Sequence, residues 1–394
     1  MFKVLLFSLL LLTGLTLSQL VPRAVGPLFA QTALPLHVLT MTALAFIMIQ
    51  VGYDFEIDKR RLRAYGFDYL VAMTAAGLPW ILCTLYFVFV MVPSQRSDVH
   101  FWERMLLLSR FAAPTSAGVL FSMLTAAGLS ATWVFHKARV LAIFDDVDTI
   151  IAIVLIQMVM VGVAWQLGII IAAIVLLLWT AWHYLRAFRF PQSWRWTLLY
   201  AGGLALACEG VAYLGSSLDS RVPLRVEVLL PAFVLGCTAV RSSSAAGQAV
   251  EQRAIAWVTG CFMVLAGASM PLVKTEGSGV ISPLAIAFHV IAITLLSNLG
   301  KMFPALCYRR EASFRERLAL AVSMFPRGEV GTGVLVISLA YGIGGAVLTV
   351  ATLSLALNLI GTGLFIVVVK WLLAGASNRS PSSGGSRAAA DPIS

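Results

Sequence analysis

The sequence predicts an all-α polytopic membrane protein with about twelve transmembrane helices. Three observations lead there. Sixty per cent of the 394 residues are apolar and only 12% are charged, a balance that ordinary soluble domains do not show. The apolar residues collect into separate runs, each near the ~20 residues that a bilayer requires. Lys and Arg concentrate in alternate connections between those runs, the bias that orients membrane proteins.

The runs centre on Leu10, Phe46, Ile81, Thr115, Ile150, Leu176, Leu206, Pro231, Phe262, Ile291, Gly328 and Leu359. With the amino terminus inside, nineteen Lys and Arg fall in inside connections and six in outside ones, so both termini are expected on the cytoplasmic face. Topology thus accounts for the net charge of +10, and no nucleic-acid partner is implied; lipid is the surrounding partner. Residues 1–375 form one transmembrane domain, and the small, polar segment 376–394 reads as a disordered cytoplasmic tail.

The first run, Leu5–Leu12 behind Lys3, also has the make-up of a signal peptide, but lacks a clear small-residue cleavage site. The fourth carries Arg110 and then Ala112-Ala113-Pro114-Thr115-Ser116-Ala117-Gly118. A mid-membrane Pro removes a helical hydrogen bond, and nearby Gly, Ser or Thr eases a break. The eleventh run repeats the pattern with Phe325-Pro326-Arg327-Gly328-Glu329-Val330-Gly331. A kinked but continuous helix is the competing reading of each run alone. The pairing favours breaks. The two interrupted runs stand seven apart, an odd offset, so the second trio of helices runs opposite to the first. Interrupted segments at matching places in inverted halves point to a secondary transporter's binding site.

The fifth run holds Asp145, Asp146 and Asp148. Each carboxylate at bilayer depth costs roughly 2.5–3.5 kcal/mol on insertion scales, so the cluster is a candidate ion or proton site. On a helix Asp145, Asp148 and Thr149 share a face, while Asp146 projects roughly 100° away. One carboxylate can then meet a cation or proton while the other meets a fixed positive group. Lys301, in the tenth run after Gly300, is the obvious ammonium; the alternative is that it snorkels to the inner interface near Arg309. Thr115, Ser116 and freed carbonyls of the fourth run supply oxygen ligands beside Asp146. Arg327, Glu329 and Arg110 are placed to offset the dipoles of the broken helices.

The remaining runs say less. Glu209 in the seventh reads as a capped or interface glutamate before a second acidic site, Glu227 lies near a run's end, and His289 reads as a structural histidine. Gly342-Ile343-Gly344-Gly345 is a tight connection. The five cysteines are scattered without metal-ligand spacing and read as packing residues. No nucleophile elbow, Walker sequence or metal pair is present, so neither an enzyme nor a cofactor is expected.

At these residues the chain resembles the monovalent cation:proton antiporter superfamily, the membrane domain of bacterial Na+/H+ exchangers and Kef-type systems. Ala142-Ile143-Phe144-Asp145-Asp146-Val147 resembles its paired-aspartate helix, and Phe325-Pro326-Arg327-Gly328-Glu329-Val330 its Pro-Arg-Gly-Glu segment. Ala113-Pro114-Thr115-Ser116 resembles the crossover of its first broken helix, and Lys301 matches its basic residue in the preceding helix.

The resemblance implies two discontinuous crossing helices in a core (about 68–163 and 279–375) that moves elevator-fashion against a scaffold of the remaining helices. It implies a homodimer in a bacterial inner membrane that exchanges Na+, Li+ or K+ for protons, electrogenically because the aspartates are paired, and so serves pH homeostasis. Asp146 would carry the cation and proton, Asp145 would pair with Lys301, and Thr115 with Ser116 would line the site. Asp148 departs from the family pattern: it pairs with Arg110 or adds a proton site. Two rival readings remain at this stage. One is sodium-coupled symport of an organic anion, favoured by Arg110, Lys301 and Arg327. The other is a non-transporting membrane sensor.

Overall fold

Each apolar run lies on helix, except that two centre on breaks between helices. The computed structural model describes residues 2–25, 28–53, 62–161, 165–218, 228–240, 248–270 and 282–377. The helices are α1 (Phe2–Val25), α2 (Leu28–Tyr53), α3 (Leu62–Tyr86, prolonged by a π-helical turn to Met91), α4 (Val99–Ser109) and α5 (Ala117–Ala126). Next come α6 (Trp133–Val161), α7 (Trp165–His183), α8 (Trp194–Leu218), α9 (Leu229–Thr238) and α10 (Gln248–Ala268). The last are α11 (Pro283–Gly300), α12 (Phe314–Ser323), α13 (Glu329–Ala340) and α14 (Gly345–Ser377). Among the described residues there is no strand, only an isolated bridge between Phe188 and Ala239. Apart from residues 376 and 377 the expected tail lies outside the described residues, as does Glu227.

Among the described residues seven helical segments are long and apolar enough to cross a membrane, including Leu34–Tyr53, Val99–Ala126 and Gly345–Ala374, and they make this an integral membrane protein. The helix of 29 residues, α6, is long enough too but carries the three aspartates mid-length. Local chemistry sets several boundaries. Asp98, Ser116 and Ser282 accept the backbone N–H of His100, Val119 and Ala285 and so cap α4, α5 and α11. Ser313 and Glu316 form a reciprocal capping box at the start of α12.

Both interrupted runs are true breaks. After α4 a 3₁₀ turn, Arg110–Ala112, leads into non-helical residues 113–116 before α5 begins. Residues 324–328 separate α12 from α13 in the same way. Pro114 and Pro326 lack the N–H that a continuous helix would need, and each disfavours helix in the residue before it. Counting each broken pair as one crossing gives twelve among the described helices.

The packing repeats under the seven-crossing offset. Crossings one to five correspond to eight to twelve, so a contact of α1 with α10 should have a counterpart between α9 and α2. Both pairs are in close contact. In each, glycines let the backbones approach: a Cβ on Gly14 or Gly267 would meet the backbone of the facing helix in the first pair, and on Gly52 or Gly236 in the second. Helix α3 packs on α11, its own counterpart. The resulting inverted halves place α4–α5 and α12–α13 opposite one another.

Around them, α3, α6, α11 and α14 close one bundle, while α1, α2, α8, α9 and α10 pack on each other. Past α11 the chain is clasped to the first bundle by Tyr308. Its hydroxyl donates to Asp68 Oδ1 at 2.8 Å, and Lys137 Nζ lies 3.1 Å from the same carboxylate and 3.0 Å from Glu311. Burial, and next the Asp68 carboxylate, push the Tyr308 hydroxyl pKa upward, so it stays a proton donor. This contact holds Tyr308 at φ 56°, unusual for a bulky side chain.

Gly300 ends α11 against Pro79 of α3; an added Cβ would lie 2.5 Å from Pro79 N. Gly300→Val is therefore expected to separate α3 from α11, costing about 1–3 kcal/mol as overpacking does. A lowered unfolding temperature in detergent would register this; an unchanged one would refute the close approach.

Candidate functional site

The two breaks touch. Ser116 N donates to Pro326 O at 2.9 Å, and Thr115 Oγ1 reaches Met324 O at 3.1 Å. A Cβ on Gly328 would stand 3.0 Å from Ser116 Oγ, so glycine there favours the close approach of the two breaks; its φ is extended. Four half-helix ends meet at this crossing. The amino-terminal ends of α5 and α13 present N–H groups, and the carboxyl-terminal ends of α4 and α12 present carbonyls.

Arg327 serves the carbonyls. Fully buried, it donates from Nε to Ala112 O at 2.8 Å and from Nη1 to Phe325 O at 3.1 Å, one at each break. The same guanidinium reaches Asn298 Oδ1 at 2.9 Å and Ser297 O at 2.9 Å in α11. A planar fork of five N–H donors suits such a scattered set of acceptors; an ammonium would not span them.

Asp145 serves the N–H groups. Its Oδ2 accepts from Thr115 N at 2.9 Å, from Thr115 Oγ1 at 2.8 Å, and from Lys301 Nζ at 2.5 Å. Asp145 and Lys301 are both fully buried. Lys301 thus points into the protein from the end of α11 instead of snorkelling to an interface. Asp145 Oδ1 and Thr149 Oγ1, one turn apart on the same face of α6, are buried without a hydrogen-bond donor. Asp146 lies on the adjoining face, 3% exposed, within electrostatic reach of Lys301.

Asp148 stands apart from this centre. It pairs with the fully buried Arg110 at 2.5 Å, and the Arg110 guanidinium stacks over Trp80 at 4.7 Å. The structure therefore places Asp145, Thr115, Ser116, Lys301 and Arg327 at one crossing, with Asp146 beside them, and sends Asp148 and Arg110 to a second pair. Glu329 begins α13, but its side chain lies outside what is described. Asn298, Ser297 and Trp80 were not singled out from the sequence. A Ser-Asn step one turn before Lys301 in an apolar helix was the available signal. Among the described residues no group of three or more His, Cys, Asp and Glu could hold a metal.

No protein-family model matches the chain, and no curated protein is significantly similar to it. Solved structures are more informative. The chain is similar to the sodium proton antiporter MjNhaP1 from Methanocaldococcus jannaschii at pH 8, with 16% identity over 93% of this chain and 92% of that one. The TM-score is 0.55. The two share a fold. Near-complete coverage of both chains means that the likeness is one of the whole fold, not of one motif.

The Asp145–Lys301 pair makes a measurable prediction. Removing one partner strands a buried charge, at about 3–5 kcal/mol, whereas removing both leaves none. Asp145→Asn and Lys301→Met should each lower the unfolding temperature in detergent, and the double variant should lose less than the two losses added together. Strict additivity would contradict the contact.

Proposed function

We propose that the chain is a secondary active antiporter that exchanges a monovalent cation, Na+, Li+ or K+, for protons. The observation that carries this is a carboxylate pair buried where two broken helices cross, in a fold similar to a sodium proton antiporter. Asp146 is the carrier: it holds either the cation or a proton, and Thr115, Ser116 and Asp145 Oδ1 complete the oxygen set. Asp145 is held by Lys301 and a backbone N–H, which fixes the geometry about its neighbour. Arg327 and Glu329 offset the half-helix ends, and Arg110 with Asp148 forms a neutral structural pair.

Charge counting supports such a cycle. Ionised Asp145 and Asp146 balance Lys301 and Arg327, so the site gains one charge whether Asp146 binds a cation or a proton. Either loaded form can cross, and the two compete for one carboxylate. Electrogenic exchange then requires a second proton, for which the Asp145–Lys301 pair is the nearest titratable group. A net charge moved is driven by roughly 2.3 kcal/mol per 100 mV.

The movement is an elevator-like slide of the bundle 68–163 and 279–375 against the remaining helices, in a homodimer of the bacterial inner membrane with both termini cytoplasmic. Organic-anion symport finds less support. Lys301 is committed to Asp145, Arg327 to four acceptors and Arg110 to Asp148. A transporting centre this complete also argues against a mere sensor.

In proteoliposomes with a lumenal pH dye, external Na+, Li+ or K+ should drive protons out of the lumen. Asp146→Asn should abolish the response while inserting and eluting like the wild type. Exchange that persists in Asp146→Asn would remove Asp146 from its assigned role, and no response of the wild type to any of the three ions would end the antiport reading.

A further inference from the structure

A cavity of about 130 Å³ lies away from the crossing, walled by α2, α8, α10 and α13. It is bounded by His37, Thr40, Cys208, Glu209, Ser269 and Thr332 among others. His37 is in the first half of α2, whereas Glu209 lies in the second half of α8, Ser269 just past the end of α10 and Thr332 in the second half of the eleventh crossing. Alternation of crossings puts all of these toward the membrane face opposite the amino terminus. One wall, α13, is a half-helix of the crossing itself; the other three belong to the bundle of α1, α2 and α8–α10.

The polar lining is acceptor-rich. Thr40 Oγ1 donates to Leu36 O at 2.7 Å, Ser269 Oγ to Leu265 O at 2.8 Å, and Thr332 Oγ1 to Gly328 O at 3.0 Å. A hydroxyl whose proton goes to its own helix keeps oxygen lone pairs for the cavity; Thr40 and Ser269 also hydrogen-bond each other, and Thr332 Oγ1 reaches Met270 Sδ at 3.7 Å. Thr40 and Ser269 oxygens lie 3.1 Å apart, close enough to act on one occupant. Glu209 adds a carboxylate, 3.5 Å from His37 Nε2 and about one-third exposed. At that distance the imidazole orients the carboxylate without the short contact of a tight charge-assisted bond, which runs about 2.7–2.9 Å.

We propose that this cavity is a second cation site, which takes a partly hydrated monovalent cation at Glu209 with hydroxyl oxygens of Thr40, Ser269 and Thr332. Hard cations are bound by carboxylate and neutral oxygen, and anions are not. One carboxylate matches one positive charge, so a divalent ion is left half-compensated. The volume equals that of about four waters at ~30 Å³ each, room for an ion that keeps part of its hydration shell. Because Thr332 and Gly333 of α13 form one wall, an ion here rests against a half-helix of the crossing. Only the identity of the cation rests on the antiport reading; occupancy does not.

Equilibrium binding of radioactive sodium and of rubidium to the purified protein tests the site without transport. Asp146→Asn should remove the central site and leave residual binding. Adding Glu209→Gln should weaken that residual binding at least about tenfold, a loss of about 1.4 kcal/mol. Thr40→Val in the same background should weaken it severalfold with the carboxylate intact. The proposal is overturned by an absence of residual binding in Asp146→Asn, or by residual binding that ignores both further substitutions. Proton flux in proteoliposomes reads the antiport question separately, so the two can fail independently.

Discussion

One guanidinium holds the centre together. A broken helix inside a bilayer exposes carbonyls that neither lipid nor its own chain can satisfy, at several kcal/mol for each one stranded. Arg327 answers both breaks at once, taking Ala112 O from the first and Phe325 O from the second. Two further acceptors in α11 bind it to the helix that delivers Lys301. The crossing, the depth of Asp145 and the position of Lys301 all follow from where this side chain reaches. The reach works because Gly328 allows Ser116 against the neighbouring backbone.

The electrostatic design is local neutrality. The fully buried positive side chains, Lys301, Arg327 and Arg110, each face a carboxylate or a set of carbonyls. Burying a bare ion costs several kcal/mol even after relaxation, and pairing with good hydrogen bonds offsets much of that. Asp148 belongs to this logic: with Arg110 against Trp80 it braces α4, α6 and α3, away from the oxygens around Asp145 and Asp146.

Much of the fold was legible because membrane depth makes anomalies conspicuous. Pro114, Pro326 and three aspartates break an otherwise apolar pattern, and their spacing revealed the inverted halves. Lys301 was ambiguous for a physical reason: two turns from Arg309, its depth depends on how far α11 tucks against α3. The close approach of Gly300 to Pro79 and the buried pair with Asp145 settle that. Three of Arg327's four partners were illegible because backbone carbonyls have no side-chain signature. Glu209 read as a capping or interface group because its neighbours Thr40, Ser269 and Thr332 come from three distant segments that nothing in the primary structure links.

The glycine-lined crossings of α1 with α10 and of α2 with α9 have a consequence for biogenesis. During synthesis α1 and α2 enter the bilayer while the helices that fit them are still untranslated. Their tight interfaces, which depend on backbone proximity rather than on side-chain interdigitation, close only after more than half of the chain has been made. Late closure over such sequence separation is intrinsically slow. Assembly therefore returns to α1 and α2 once α9 and α10 have been made, with α11 to α14 still to follow.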